Sequence, residues 1–254
     1  WIRTTEKLPR TVEEIKPHPL SATLAQLQRM LKDTDEKKLS GFLQHEFSPM
    51  PLRAVKEITE ISGVERGRVP SRIKTDDAAS ILAAFSEVKY TEPKNFEVCL
   101  SPIEDLLIKK GLSKAIDSRF ASTVSRNPIL IQGVPYQVEV GLVFGGDLPS
   151  DGPIEVLRFA NRVPLMYQQG GCLLTKGLES VNWKKYGLDH PGAKGLPKGP
   201  AAVLIHLAST NVQFTSEAKE AVADNDALMK EIRKSMQEVG RGLKAHLKTR
   251  KERK

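Results

Sequence analysis

Ala201-Ala202-Val203-Leu204-Ile205-His206-Leu207-Ala208 is an apolar run without alternation, the pattern of a strand buried on both faces. A polar link follows from Ser209 to Glu220. Beyond it, Leu228, Ile232, Met236, Val239, Leu243 and Leu247 recur at spacings of three and four. That spacing lays them along one stripe of a helix, expected over 224–254. A buried strand, a polar loop and a long basic helix together make a lever. Whatever the loop senses, the helix can carry away. Lys219 is the candidate sensor in that loop.

The rest of the composition bounds the class. A chain of 254 residues, 39% apolar and 28% charged, has room for two ordinary domains. It opens on Trp1 rather than an initiator methionine, as a piece of a longer chain would. No apolar stretch approaches a membrane span, and no signal peptide is visible. Cys99 and Cys172 lack paired spacing, which suggests a reducing compartment without structural zinc. The net charge of +8 is concentrated at one end. From Lys230 onward ten Lys or Arg stand against Glu231, Glu238 and Glu252, a net of +7. This basic helix is either a solvated face or a contact to nucleic acid or an acidic partner.

Taken in order, Trp1-Ile2-Arg3-Thr4-Thr5 reads as a short strand ending a preceding domain. Pro9, Pro17 and Pro19 then make an extended linker. Four short helices are expected up to about residue 92. Leu24 to Leu31 mark the first. Asp33 and Glu36 form a capping box for the second. Pro51 opens the third, with Val55, Ile58 and Ile61 inside and Gly63 as its stop. Thr75 caps the fourth. A second unit starts near Phe96. Ser101 to Glu104 form another capping box, for a helix that Gly111 ends. Ser113 starts a further helix, with Ile116, Phe120 and Val124 on one side. Period-two alternation from Val134 to Phe144 then predicts a half-buried strand. Further strands are expected over Ile154–Val163 and Leu165–Tyr167, and a short helix over Val181–Tyr186. Gly187 to Pro200 reads as a mobile loop. The fold class is therefore α+β: a small all-helical domain, then an α/β sandwich of mixed sheet, helices largely on one face, and a long C-terminal helix.

No nucleotide-binding glycine loop, zinc motif or nucleophile-and-base arrangement is legible, so the chain alone is not expected to be catalytic. Three features remain. Arg158-Phe159-Ala160-Asn161-Arg162-Val163-Pro164-Leu165 reads from periodicity as an edge strand. Trp183-Lys184-Lys185-Tyr186 sets two aromatics around two lysines, a pattern suited to stacking with phosphate contact or to an ordinary helix end. Lys219 stands in the loop before the long helix.

Their order carries a resemblance. Ile15-Lys16-Pro17-His18-Pro19, Lys38 to Leu43, Cys99 to Ile103, Arg158 to Leu165, and Ser209-Thr210 through Lys219-Glu220 together resemble the B subunits of topoisomerase VI, the type IIB DNA topoisomerases. Leu20 and Ser21 depart from that family's usual His and Gly after His-Pro. The resemblance implies three parts: residues 1–14 as the end of an upstream GHKL ATPase domain, 15–95 as a helix-two-turns-helix domain, and 96–254 as a transducer of ribosomal-protein-like β-α-β fold. It implies an ATP-dependent enzyme that relaxes supercoiled DNA by double-strand passage, with this region linking ATP-driven closure to a DNA-cleaving A subunit. ATP and Mg would be held mainly by the upstream domain, with Lys219 reaching the γ-phosphate. Trp183, Lys184, Lys185 and Tyr186 would contact double-stranded DNA. The implied partners are the A subunit, a second B subunit and DNA, with no membrane, in the cytoplasm at the nucleoid. The C-terminal helix would dock the A subunit, and Gly240 and Gly242 would give it a flexible joint. The alternative is a stand-alone nucleic-acid-binding module without ATP-linked activity.

Overall fold

A computed structural model describes residues 4–252, which form two compact units. One comprises Glu13–Cys99 with Gln132–Val134, and the other holds the rest. The strand expected at Trp1–Thr5 falls partly outside the described residues, and Thr4 to Arg10 are not in a strand.

The helical unit contains α1 (Leu24–Asp33), α2 (Leu39–Glu46), α3 (Leu52–Ser62) and α4 (Thr75–Glu87). Leu27, Phe42, Phe47, Ile58, Ile81 and Phe85 close its core, each at most 1% exposed. The Thr23 hydroxyl caps α1 by accepting from the Gln26 N–H, and Gly63 ends α3 in the left-handed region at φ 70. Both other caps differ from expectation. Asp33 is the last residue of α1, and Glu36 pairs with His45 at 2.5 Å instead of capping α2. Thr75 is the first helical residue after Lys74, and its side chain does not cap the helix. Ile61 is 47% exposed, because the inner stripe of α3 runs through Val55, Ile58 and Thr59.

The second unit runs α5 (Asp105–Ala115), β1 (Phe120–Ser125), β2 (Ile129–Ile131), β3 (Val134–Phe144), β4 (Glu155–Ala160), β5 (Val163–Pro164), α6 (Leu173–Glu179), β6 (Ala201–Ser209) and α7 (Asp226–Glu252). Its sheet has the order β1-β3-β6-β4-β5, with β2 paired to β3. β6 is central, antiparallel to β3 and parallel to β4, which is why its sequence lacks alternation. One face is covered by α5, where Ile108 and Leu112 pack on Val143 and Ala202. Gly141 permits this approach, since a Cβ there would lie within 2.6 Å of both side chains. On the other face lies α7, with Leu228, Ile232, Met236, Val239 and Leu243 buried and α6 packed beside it.

Several local expectations give way in this unit. Ser101–Glu104 does not cap α5, which begins at Asp105 and continues through Gly111 to Ala115. The segment read as a helix through Phe120 and Val124 is β1, held in register by β3 from Phe120↔Phe144 to Ser125↔Glu139. Apolar residues four apart satisfy both periods, and the ladder decides. β3 is buried on both faces, with Glu139 at 0% exposure, because α5 covers the side read as solvent-facing. Leu165–Tyr167 is not a strand, and Val181–Tyr186 holds only a 3-10 turn at Trp183–Tyr186. The glycine- and proline-rich segment over 187–200 is pinned by two backbone hydrogen bonds between Asp189 and Lys198 and by buried Leu188 and His190.

Gly240 and Gly242 do not loosen α7, which stays helical from Asp226 to Glu252. They admit neighbours. A Cβ at Gly240 would lie 2.8 Å from the Tyr186 ring, and one at Gly242 would lie 2.7 Å from the Ser122 hydroxyl. His246 stacks on Phe120 with ring centroids 4.7 Å apart, so the helix lies on the sheet well past both glycines.

Candidate functional site

The loop between β6 and α7 is a small hairpin with Lys219 near its apex. Phe214 bridges Val222, the Thr215 N–H donates to the Ala221 carbonyl at 2.9 Å, and the Ala223 N–H donates to Gln213 at 2.9 Å. The apex closes as a turn, with the Lys219 N–H donating to Ser216 at 3.1 Å. Lys219 has φ 55 and an exposed side chain, and makes no ion pair among the described residues. A left-handed lysine is an unfavoured conformation, so the turn is imposed by the bridge below it.

Both arms of the hairpin are anchored. The outgoing arm leaves β6 at Ser209, whose peptide N–H and carbonyl both bond the Asn161 side chain. Tyr136 donates its hydroxyl to the Asn211 carbonyl at 3.1 Å. The returning arm docks on the start of α6, where the Leu173 N–H donates to Val222 at 3.0 Å. Buried Cys172 accepts from the Val222 N–H at 3.4 Å, and Lys176 pairs with Asp224 at 2.7 Å. Asn225 then accepts from the Leu228 N–H at 2.9 Å, capping the first turn of α7. The arrangement presents one ammonium, unpaired among the described residues, on a stem joined directly to the central strand and the long helix. An ammonium so placed fits a phosphate terminus brought to it from outside the chain.

A second cationic feature lies along α7. Lys184, Lys185, Lys244, Lys248 and Arg250 line a groove of about 560 Å³ whose floor includes Tyr186 and Leu247. Of these five cations, Lys248 reaches Glu252 at 3.7 Å, and no ion pair to a carboxylate is seen for the others among the described residues. Lys184 and Lys185 are exposed. Trp183 does not share this surface. It is 0% exposed and its Nε1–H donates to the Leu178 carbonyl at 2.8 Å, so it has no free face for a base. It seats the turn that carries the lysines, and its buried ring is not available for the DNA contact expected of it. Tyr186 packs edge-on against Trp183 and over Gly240, half-buried.

The third feature was not legible as a site. Glu139 of β3 pairs in register with His206 of β6, and their side chains meet at 2.7 Å with both fully buried. The Glu139 carboxylate also accepts from the Ile103 N–H at 2.6 Å, the Glu104 N–H at 2.8 Å and the Ser125 hydroxyl at 2.5 Å. Burial alone would raise its pKa. The bonds from His206, Ser125 and Ile103, with the His206 charge when that ring is protonated, outweigh burial and hold it below the ordinary carboxylate value. His206 Nε2 accepts from the Arg162 N–H at 3.0 Å, which assigns the ring proton to Nδ1. An acid and a histidine on separate strands become partners only when the register is known.

Among the described residues, no group of three His, Cys, Asp or Glu is placed to hold a metal ion. No helix among them is long and apolar enough to cross a membrane.

Comparison with known proteins agrees with this architecture. The family described as topoisomerase VI B subunit, transducer, matches residues 96–254. The type 2 DNA topoisomerase 6 B subunit of Methanococcoides burtonii is 44% identical over 245 residues, covering 96% of this chain and 39% of that protein. The protein of the same name from Methanosarcina barkeri is also 44% identical over 245 residues, with the same coverage. The chain thus spans about 39% of the length of these relatives. With a family match over residues 96–254, which hold the sheet, the hairpin and the long helix, the chain belongs to the topoisomerase VI B subunit transducer family.

Proposed function

We propose that this chain couples the nucleotide state of an upstream GHKL ATPase domain to a DNA-cleaving A subunit, within an ATP-dependent type IIB topoisomerase that relaxes supercoiled DNA by double-strand passage. In this reading residues 15–95 are the helix-two-turns-helix domain and 96–254 the transducer. The observation that carries it is Lys219: an exposed ammonium, unpaired among the described residues, near the apex of a hairpin rooted in β6 and continuous with α7. Bound ATP supplies a terminal phosphate that is present before hydrolysis and gone after release. Lys219 holds that phosphate by a charge-assisted contact, and loses its partner when the phosphate leaves. The anchored arms pass the difference to β6 and to the first turn of α7. A second B subunit and the A subunit are the partners that such a movement would serve, and the enzyme would work in the cytoplasm at the nucleoid.

Lys184 and Lys185, with Lys244, Lys248 and Arg250 across the groove, contact phosphates of double-stranded DNA. Tyr186 sets the floor between them. This groove would serve equally in the second reading, a nucleic-acid-binding module without ATP-linked activity.

The test is Lys219→Ala in a full-length B subunit paired with its A subunit. ATP binding is expected to persist, through the upstream domain, while ATP-dependent relaxation of supercoiled DNA falls. Lys219→Arg should recover only part, because a planar guanidinium does not replace a compact ammonium. Relaxation at wild-type rate by Lys219→Ala would remove this lysine from the mechanism, whereas a wild-type pair that binds duplex DNA but shows no ATP-dependent relaxation would make the DNA-binding module the better reading.

A further inference from the structure

The proposed function leaves the Arg158–Leu165 segment without a role. It is not one strand but a tight hairpin. β4 ends at Ala160 and β5 begins at Val163, so the loop is Asn161-Arg162. Both residues have positive φ, 46 and 68, the signature of a type I′ turn. Asparagine is tolerated there, but arginine is not favoured. Arg158 closes the base, donating to the Leu165 carbonyl at 2.9 Å and the Tyr167 carbonyl at 2.8 Å.

This turn sits where β4 stops supporting its neighbour. The Asn161 N–H donates to the Leu207 carbonyl at 2.8 Å, the last backbone bond from this side. The chain then turns away while β6 continues to Ser209, which is only 5% exposed. A buried peptide group without a partner is costly. The Asn161 side chain fills the gap. Its Nδ2 donates to the Ser209 carbonyl at 2.8 Å, and its Oδ1 accepts from the Ser209 N–H at 2.9 Å. A side-chain amide thereby takes the place of the next peptide of β4. Ser209 is also the root of the Lys219 hairpin, and its hydroxyl accepts from the Asn211 N–H at 3.2 Å.

Exposed Asn161 is itself held by a polar chain that runs from half-buried Arg162 to fully buried His206 and Glu139. The Arg162 guanidinium donates to the Ser101 carbonyl at 3.3 Å and the Pro102 carbonyl at 2.5 Å. Its N–H bonds His206, which donates to Glu139, which accepts from the first residues before α5. These contacts keep an arginine in a left-handed conformation that it would otherwise leave.

We infer that Asn161 is a positioning residue that aims the Lys219 hairpin, and that Arg162, His206 and Glu139 hold Asn161 in the orientation this requires. The inference rests on the reading that Lys219 acts from the hairpin, but its first test does not depend on it. Asn161→Gly keeps the positive φ and deletes the amide. Asn161→Asp keeps the acceptor for the Ser209 N–H and sets an anion against the Ser209 carbonyl. Amide hydrogen exchange of the whole chain, without nucleotide, should show Ser209–Asn211 and the hairpin exchanging about tenfold faster or more in both variants. β1 and the middle of β3 should keep wild-type protection. In the full-length subunit with its A partner, Asn161→Gly should bind ATP with wild-type affinity and relax DNA poorly.

Protection at Ser209–Asn211 within about twofold of wild type would overturn the inference. So would a loss of protection spread evenly over β1, β3 and β6, which would make Asn161 an ordinary structural residue. If Lys219→Ala leaves relaxation intact while Asn161→Gly still frees the hairpin, the aiming role stands and the phosphate contact falls.

Discussion

Glu139→Gln is the sharpest test of the buried polar chain, because it changes charge and not shape. The carboxylate accepts four hydrogen bonds, two on each oxygen: Glu104 N–H and Ser125 on one, Ile103 N–H and His206 on the other. A glutamine must turn an N–H₂ toward one of these pairs. Facing Ile103 and His206 it would leave two donors opposed, since His206 Nε2 is already occupied by Arg162. Facing Glu104 and Ser125 it leaves one, because a hydroxyl can rotate to accept. The cheaper choice therefore leaves the Glu104 N–H, which faces the buried Glu139 carboxylate, without its acceptor, at about 1–3 kcal/mol, and weakens two charged bonds to neutral ones by about 1 kcal/mol each. Removing the charge brings no relief, because the partners already hold the acid below its ordinary pKa despite burial. A net loss of roughly 3–5 kcal/mol is expected, or a Tm drop of about 6–20 °C for a unit of this size. Calorimetry is the suitable assay, since the helical and sheet units need not melt together. The pH dependence has a definite sign. A depressed carboxyl contributes stability that is complete above its unfolded-state pKa and lost as pH falls through the folded-state value. The gap between wild type and Glu139→Gln should be widest at neutral pH and narrow in acid. A Tm within ~1 °C of wild type at neutral pH, or a gap that does not change with pH, would refute this account of the network.

Gly240→Ala should destabilise the sheet unit: the helix gains about 1 kcal/mol of propensity, but a Cβ 2.8 Å from the Tyr186 ring costs about 1–3 kcal/mol. Gly111→Ala, with nothing within 4 Å, should stabilise instead, and melting both variants checks the sign. Lys184→Ala with Lys185→Ala should weaken duplex DNA binding about equally for all sequences and flatten the salt slope by about two, as titrations at several salt concentrations will show. Ending the chain after Lys248 should preserve the fold, whereas ending it after Gly240 removes fully buried Leu243 and should cost about 2–5 kcal/mol, read from thermal melts. Binding of the A subunit should fall with the shorter helix, and retention of that binding would place the interface elsewhere.

The elements with one dominant period were legible from sequence. The apolar run of β6, the alternation of β3 and the stripe of α7 all stand where expected. What failed was local and has local causes. β1 carries Ser122 and Thr123 between its apolar residues, so the four-residue spacing of Phe120 and Val124 resembled a helix. The turn at Asn161-Arg162 contains no glycine, and a hairpin loop without one leaves no sequence signal. Glu139 looked like the solvent side of an alternating strand because nothing in the sequence shows that α5 lies over it. α6 went unread between Gly170-Gly171 and its own Gly177, whose missing side chain admits Ile232 of α7. Lys219 was placed by resemblance. The bridge that raises it, and the amide that roots it, became visible only with the register.

The two glycines of α7 also constrain how this part of the molecule can change over generations. Gly240 receives a ring from one side and Gly242 a serine from another, so the helix has a single axial setting, like a key cut on two edges. One residue inserted between Met236 and Gly240 would swing everything beyond it by about 100° and present a side chain to both notches. Substitutions on the outer face away from the cationic groove meet no such steric limit, but the count of residues between these contacts cannot drift. Any motion handed to α7 must therefore turn helix and sheet as one body, and the far end will sweep an arc rather than slide.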